Sequence, residues 1–193
     1  MLKFMHTGKI LFIFLLSSFL ITAYSQANPI VSPKICLDIA GKHAVSMGSA
    51  NGSLNVNTGI SIGFEILSNT GSNFNFGGGL MYLIPREQQV SGSGKFNFIP
   101  IYGLIKIDLS TNVPVTPSLI GSVGYNVLFN GDSNYKGPTS LKGGLYLAGG
   151  IRISPGTLFF EVLYKSFSGS ANYQNLNFDI VYTTLSIGMG LEI

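Results

Sequence analysis

Val181-Tyr182-Thr183-Thr184-Leu185-Ser186-Ile187-Gly188-Met189-Gly190-Leu191-Glu192-Ile193 is the stretch whose reading decides the fold. Val181, Leu185, Ile187, Met189, Leu191 and Ile193 alternate with Tyr182, Thr184, Ser186, Gly188, Gly190 and Glu192. Successive side chains of a strand point to opposite faces, so this two-residue period gives one apolar and one small or polar face. The stretch also has the roughly 9 to 11 residues that a tilted strand needs to cross a bilayer.

Working outward, the same pattern recurs with turn residues between the segments, and it predicts eight strands. Seven precede the quoted one, at about 35–42, 59–67, 74–84, 98–109, 118–129, 141–153 and 158–166. In the sixth, Leu141, Gly143, Leu145, Leu147, Gly149, Ile151 and Ile153 oppose Lys142, Gly144, Tyr146, Ala148, Gly150 and Arg152. Pro100 lies near the start of the fourth, which points to a strand end or bulge there. The connections read as long at 46–58, 85–97, 130–140 and 167–177, and short at 68–73, 110–117 and 154–157. Long and short thus fall on opposite rims, as in outer-membrane barrels, with both ends of the barrel on the short-turn rim.

Composition agrees with this reading. Of 193 residues, 46% are hydrophobic and only 10% charged, against about 25% charged in ordinary soluble domains. The first 25 residues read as a cleaved secretory leader: Lys3 and Lys9, an apolar stretch from Ile10 to Ile21, then Ala23-Tyr24-Ser25 before the cut. Cleavage after Ala27 is a second option. The expected organisation is a leader at 1–25 and a barrel domain at 26–193. Two of the eleven Lys and Arg leave with the leader, so nine face eight Asp and Glu, a net charge of +1. Those scattered cations give no phosphate-binding surface, so no nucleic-acid partner is expected. A lone exported Cys36 is expected to be buried and structural.

Charge placement selects the lumen. Ten charges fall on the polar strand faces: Lys42, Lys106, Lys142, Arg152 and Lys165, with Asp38, Glu65, Asp108, Glu161 and Glu192. Lys34, Arg86, Glu87, Lys95, Asp132, Lys136 and Asp179 are assigned to turns, loops or strand ends, and none to the apolar faces. A Lys or Arg facing lipid at mid-bilayer costs about 2–4 kcal/mol. The expected fold is therefore all-β, an eight-stranded antiparallel up-and-down transmembrane β-barrel, with the ten charges paired inside. Eight strands leave an interior just wide enough for side chains to fill.

Phe98-Ile99-Pro100-Ile101-Tyr102-Gly103-Leu104-Ile105-Lys106, the Gly-rich sixth strand and the terminal strand resemble the small eight-stranded outer-membrane β-barrels of the opacity or porin type. The resemblance covers 35–193. It implies residence in the outer membrane, and it makes Leu185, Ile187, Met189, Leu191 and Ile193 the signal strand read by the barrel assembly machinery. Such strands usually end in an aromatic residue; this one ends in Ile193. It also admits adhesion of the loops to a host or neighbouring cell surface. The Ser, Asn and Gly of these loops equally suit plain solvation.

No catalytic chemistry is expected. After leader removal His43 is the single His, at a strand end, and one His with one Cys makes no typical zinc set. No metal and no cofactor are expected, and the barrel is read as a monomer. A lipid-modifying barrel enzyme would require His43. Gly77-Gly78-Gly79 and Gly149-Gly150 sit inside strands, where they serve curvature and close packing. The expected function is an integral outer-membrane barrel with a structural, surface-display or adhesion-like role. Two alternatives stand beside it: a small passive porin, with the lumen charges lining an ion path, and a soluble exported barrel binding a ligand between apolar faces.

Overall fold

A computed structural model describes residues 29–48, 50–69, 72–89, 95–109, 114–130, 140–173 and 176–193. The leader, and Asp132 and Lys136, lie outside the described residues. Eight staves form the wall. They are β1 (Ile30–Met47), β2 in two segments (Ala50–Val56 and Gly59–Leu67), β3 in two segments (Phe74–Leu83 and Arg86–Glu87), β4 (Lys95–Asp108), β5 (Val115–Asn130), β6 (Ser140–Pro155), β7 (Leu158–Tyr173) and β8 (Leu176–Leu191). Each pairs antiparallel with its sequence neighbour, and β8 returns to β1, from Lys34↔Gly190 to Ser46↔Asp179, which closes the ring. Closure leaves no long free edge at membrane depth, where an unpaired backbone group costs several kcal/mol. Val31 and Ile193 exchange backbone hydrogen bonds of 2.8 and 2.9 Å, so both ends of the barrel share the lower rim.

The strands run further than their sequence pattern shows. Residues 46–58, read as a long loop, are mostly strand: β1 and β2 pair up to Met47↔Ala50 around a turn at Gly48, whose φ of +58° suits glycine. Residues 167–177 likewise continue β7 and β8, which pair to Tyr173↔Leu176. Two of the stretches read as long connections are thus largely paired strand. Their Ser, Asn and Gly content resembles a loop, but neighbouring strands supply the ladder that those residues do not favour on their own.

Two bulges reset which side chains face inward. In β1, Ile39↔Leu185 is followed by Lys42↔Thr183, and Ala40 takes a left-handed φ of +51°. In β6, Gly143↔Gly169 is followed by Tyr146↔Phe167. Each bulge places two residues opposite one, so the alternation reverses across it. Pro100 lies well inside β4, opposite a one-residue register shift of the β3–β4 ladder. It falls where the β3–β4 ladder lapses, between Leu80↔Ile101 and Arg86↔Phe96, a stretch that makes the lesser demand on its missing N–H.

The faces are inverted relative to a soluble protein. Leu37, Ile62, Leu80, Ile101, Val123, Leu145, Ile151, Val162 and Ile187 all point outward and are 40–63% exposed. The outward positions of β8 from Val181 to Leu191 span roughly 25 Å along the barrel axis, for a rise of about 3.4 Å per residue and a tilt near 40°. That is the height of an outer-membrane apolar band. The interior holds the charged side chains and a buried aromatic cluster.

Candidate functional site

The lumen is built in layers by inward positions of all eight strands. Near the lower rim, Lys106 of β4 reaches Glu192 at 3.1 and 3.3 Å and Asp108 at 3.5 Å, while Ser118 and Asn75 donate to Asp108 at 2.6 and 3.2 Å. Above this, Arg152 of β6 donates through Nη2 to Glu65 and Glu161, each at 2.7 Å, and through Nη1 to Glu192 at 3.2 Å. Its guanidinium also lies 3.9 Å from the centre of the Phe159 ring. Lys34 of β1 bridges the same two glutamates at 2.5 and 2.8 Å, and Tyr102 donates to Glu65 at 2.9 Å. Two cations and two carboxylates thus share one buried ring. Such charges persist without water only when their lone pairs and protons are satisfied, and here several bonds meet each group.

A second cluster stands higher. Asp38 of β1 accepts from Arg86, from Lys165 at 3.1 Å and from Ser61 at 2.8 Å. Arg86 also donates to the Tyr182 hydroxyl at 2.6 Å. Above it the lumen is filled by rings: Tyr182, Phe98 and Phe167 stack with centroids 5.4–6.2 Å apart, Phe96 meets Tyr182 edge-on at 5.3 Å, and Tyr146 packs on Phe167 at 5.1 Å. His43 sits in this upper layer, 4.9 Å from the Phe96 ring, with Nδ1 2.9 Å from Gln88. Cys36 is buried and free, 3.8 Å from Glu161.

Of the ten residues assigned to the lumen from sequence, Asp38, Glu65, Lys106, Asp108, Arg152, Glu161, Lys165 and Glu192 face inward and pair with one another or with Lys34 and Arg86. Lys42 and Lys142 do not. Both lie beside a bulge, so the reversed alternation turns them outward and exposed, Lys42 opposite Thr183 and Lys142 opposite Ser170. The same reversal sends Leu141 inward against the aromatic cluster. Two lumen cations come instead from positions read as turns, loops or strand ends. Lys34 is internal because β1 begins at Ile30, and Arg86 because β3 resumes after Pro85. The balance of five cations and five anions survives the exchange.

Phe96 and Phe167, read as loop residues, belong to the aromatic layer, and Phe98, Tyr102, Tyr146, Phe159 and Tyr182 were legible only as separate inward positions. Gly150 shows the close packing expected of the strand glycines: a Cβ there would lie 1.9 Å from the Val162 carbonyl oxygen. Leu185, Ile187, Met189, Leu191 and Ile193 all point outward on β8 and its extension.

No protein-family model matches the sequence, and no curated protein matches it. Among solved structures, the outer membrane protein OprG from Pseudomonas aeruginosa is similar, with 14% identity, a TM-score of 0.51, and coverage of 86% of this chain and 96% of that one. Neisserial surface protein A is similar at 14% identity and a TM-score of 0.51, over 86% of this chain and 97% of that one. The closed eight-stave ring, the outward apolar band and these two likenesses together show that this chain has the fold of the small eight-stranded outer-membrane β-barrels.

Proposed function

We propose that the chain is an integral outer-membrane barrel whose lumen is plugged by paired charges and stacked rings, and whose upper hairpins are displayed at the cell surface. The inversion of its faces supports this best: the exposed belt is apolar, while ten charged side chains among the described residues are held inside. A soluble ligand-binding barrel would need the opposite arrangement, with the apolar faces lining a pocket. In this reading the leader at 1–25 is cut on export, β8 with its outward Leu185, Ile187, Met189, Leu191 and Ile193 serves as the assembly signal, and the partners are the bilayer and the assembly machinery. The role is structural, surface display or adhesion-like, exercised by a monomer without catalysis.

Fractionation tests it. The mature chain is expected in the outer-membrane fraction, migrating faster unheated than heated in a detergent gel, whereas recovery as a soluble periplasmic monomer overturns the proposal. The filled lumen sets the expectation in planar bilayers: no steady conductance. A steady current that changes when Arg152 is neutralised would replace the plug by a passive porin.

A further inference from the structure

We propose that the outward face of β8, β1 and the upper segment of β2 holds the phosphoethanolamine head of a lipid, in the outer-membrane barrel proposed above, on which this rests. Lys42 takes the phosphate and Asp179 the ammonium. Three charges among the described residues stand apart from the lumen network and from the facing Glu87 and Lys95: Lys42, Lys142 and Asp179. All three are exposed, and the register sets them on one side of the wall, from β6 round to β1. Neither Lys42 nor Asp179 is within ion-pair reach of an opposite charge among the described residues. Lys142 stands two strands beyond Asp179 on the same rung, with Ser170 between them, and so leaves the face of β1 to the other two.

The outward positions of β1 change character at the Ala40 bulge, from Ile35, Leu37 and Ile39 to Lys42, Ala44 and Ser46. Those of β8 change with them, from Met189, Ile187 and Leu185 to Thr183, Val181 and Asp179. Three rungs result. The lowest is Asn55, Lys42 and Thr183, the middle one Ser53, Ala44 and Val181, and the highest Asn51, Ser46 and Asp179. The upper two line a cavity of about 300 Å³ that opens sideways from the wall, and Lys42 forms its lower lip. The lowest rung offers an ammonium, an amide and a hydroxyl as donors to phosphate oxygens, and the highest offers a carboxylate, an amide oxygen and a hydroxyl as acceptors for an ammonium. Ala44 and Val181 between them present the apolar surface that a two-carbon link requires. From Lys42 to Ser46 is roughly 14 Å of strand, room for phosphate, link and ammonium in line. The order of the charges fixes the orientation: in such a head the phosphate lies next to the tails and the ammonium farther out, and here the cation is the group nearer the apolar band. Tails would then lie along Ile39, Leu37, Leu185 and Ile187, which face outward below Lys42.

The test takes the folded barrel in maltoside micelles, titrates it with dilauroyl phosphatidylethanolamine or dilauroyl phosphatidylcholine, and counts bound lipid by native mass spectrometry. Saturable binding is expected, with the ethanolamine lipid tighter by about fivefold, because a trimethylammonium has no N–H to donate to Asp179. Asp179→Asn should abolish that preference, and Lys42→Gln should weaken both lipids by a similar factor. Both residues are exposed, so heat-dependent gel migration should stay native in each variant. Equal affinity of the native chain for the two lipids overturns the proposal, as does a preference that survives Asp179→Asn or native affinity in Lys42→Gln. Dilauroyl phosphatidylglycerol binding as tightly as the ethanolamine lipid would reduce the face to an anion site and overturn the role of Asp179. Free phosphoethanolamine competing at equal concentration would overturn the lipid as occupant. A heat-modifiable barrel without lipid preference overturns this site and leaves the barrel reading intact, whereas a chain that never shows the migration shift overturns both.

Discussion

Along β8, Thr184, Ser186 and Gly188 face a buried interior of charges and hydroxyls, while Leu185, Ile187 and Met189, one step away, face outward at 38–49% exposure. One strand therefore carries two opposite rules. Inside, a charge is tolerated because partners surround it; outside, none is tolerated within the band because hydrocarbon supplies no partner. The difference explains how a chain with so few charges keeps most of them buried. They fill a narrow lumen that is too polar for an ordinary core.

Substitutions that break either rule should differ in size. The largest loss is expected for Arg152→Met, which leaves Glu65 and Glu161 facing one cation, Lys34: about 3–5 kcal/mol of folding stability, measured by urea titration in lipid vesicles. Next comes Ile187→Arg, an unpartnered charge in the apolar band, at about 2–4 kcal/mol and with reduced insertion. Leu145→Arg, near the upper limit of the band and one turn of the ladder from Lys142, should cost less than Ile187→Arg. Lys106→Met is smaller again, about 1.5 kcal/mol, because Glu192 and Asp108 at the lower rim are partly solvated. Lys42→Ser and Lys142→Ser should stay within about 0.5 kcal/mol, as exposed substitutions do. That last result sharpens the comparison, since both lysines would rank with Lys165 if alternation ran unbroken through β1 and β6.

These two lysines show where sequence reasoning ended. The period-two pattern of Val181 to Ile193 suffices for the strand, the barrel and the sense of its faces, because a charge-free apolar face eleven residues long has few other uses. A bulge leaves no comparable trace. Ala40 takes its left-handed conformation without being glycine, and the residues around Gly144 resemble any Gly-rich strand, so the reversals that expel Lys42 and Lys142 were not legible. Lys34 and Arg86 were missed for a related reason: the readable alternation begins at 35 and stops at 84, yet both flanking segments remain in the wall through the ladder of their neighbours. The aromatic layer was hidden because its members come from five strands and meet only across the lumen.

The central claim is that the apolar face meets hydrocarbon and the charged face does not. The chain contains no Trp, so single-Trp variants have a clean background in vesicles of brominated lipid. Ile187→Trp should be strongly quenched, most of all by bromines near the bilayer centre, while Tyr146→Trp, inside the aromatic layer, should be nearly unaffected. Equal quenching at both positions, or none at Ile187→Trp, would contradict the account.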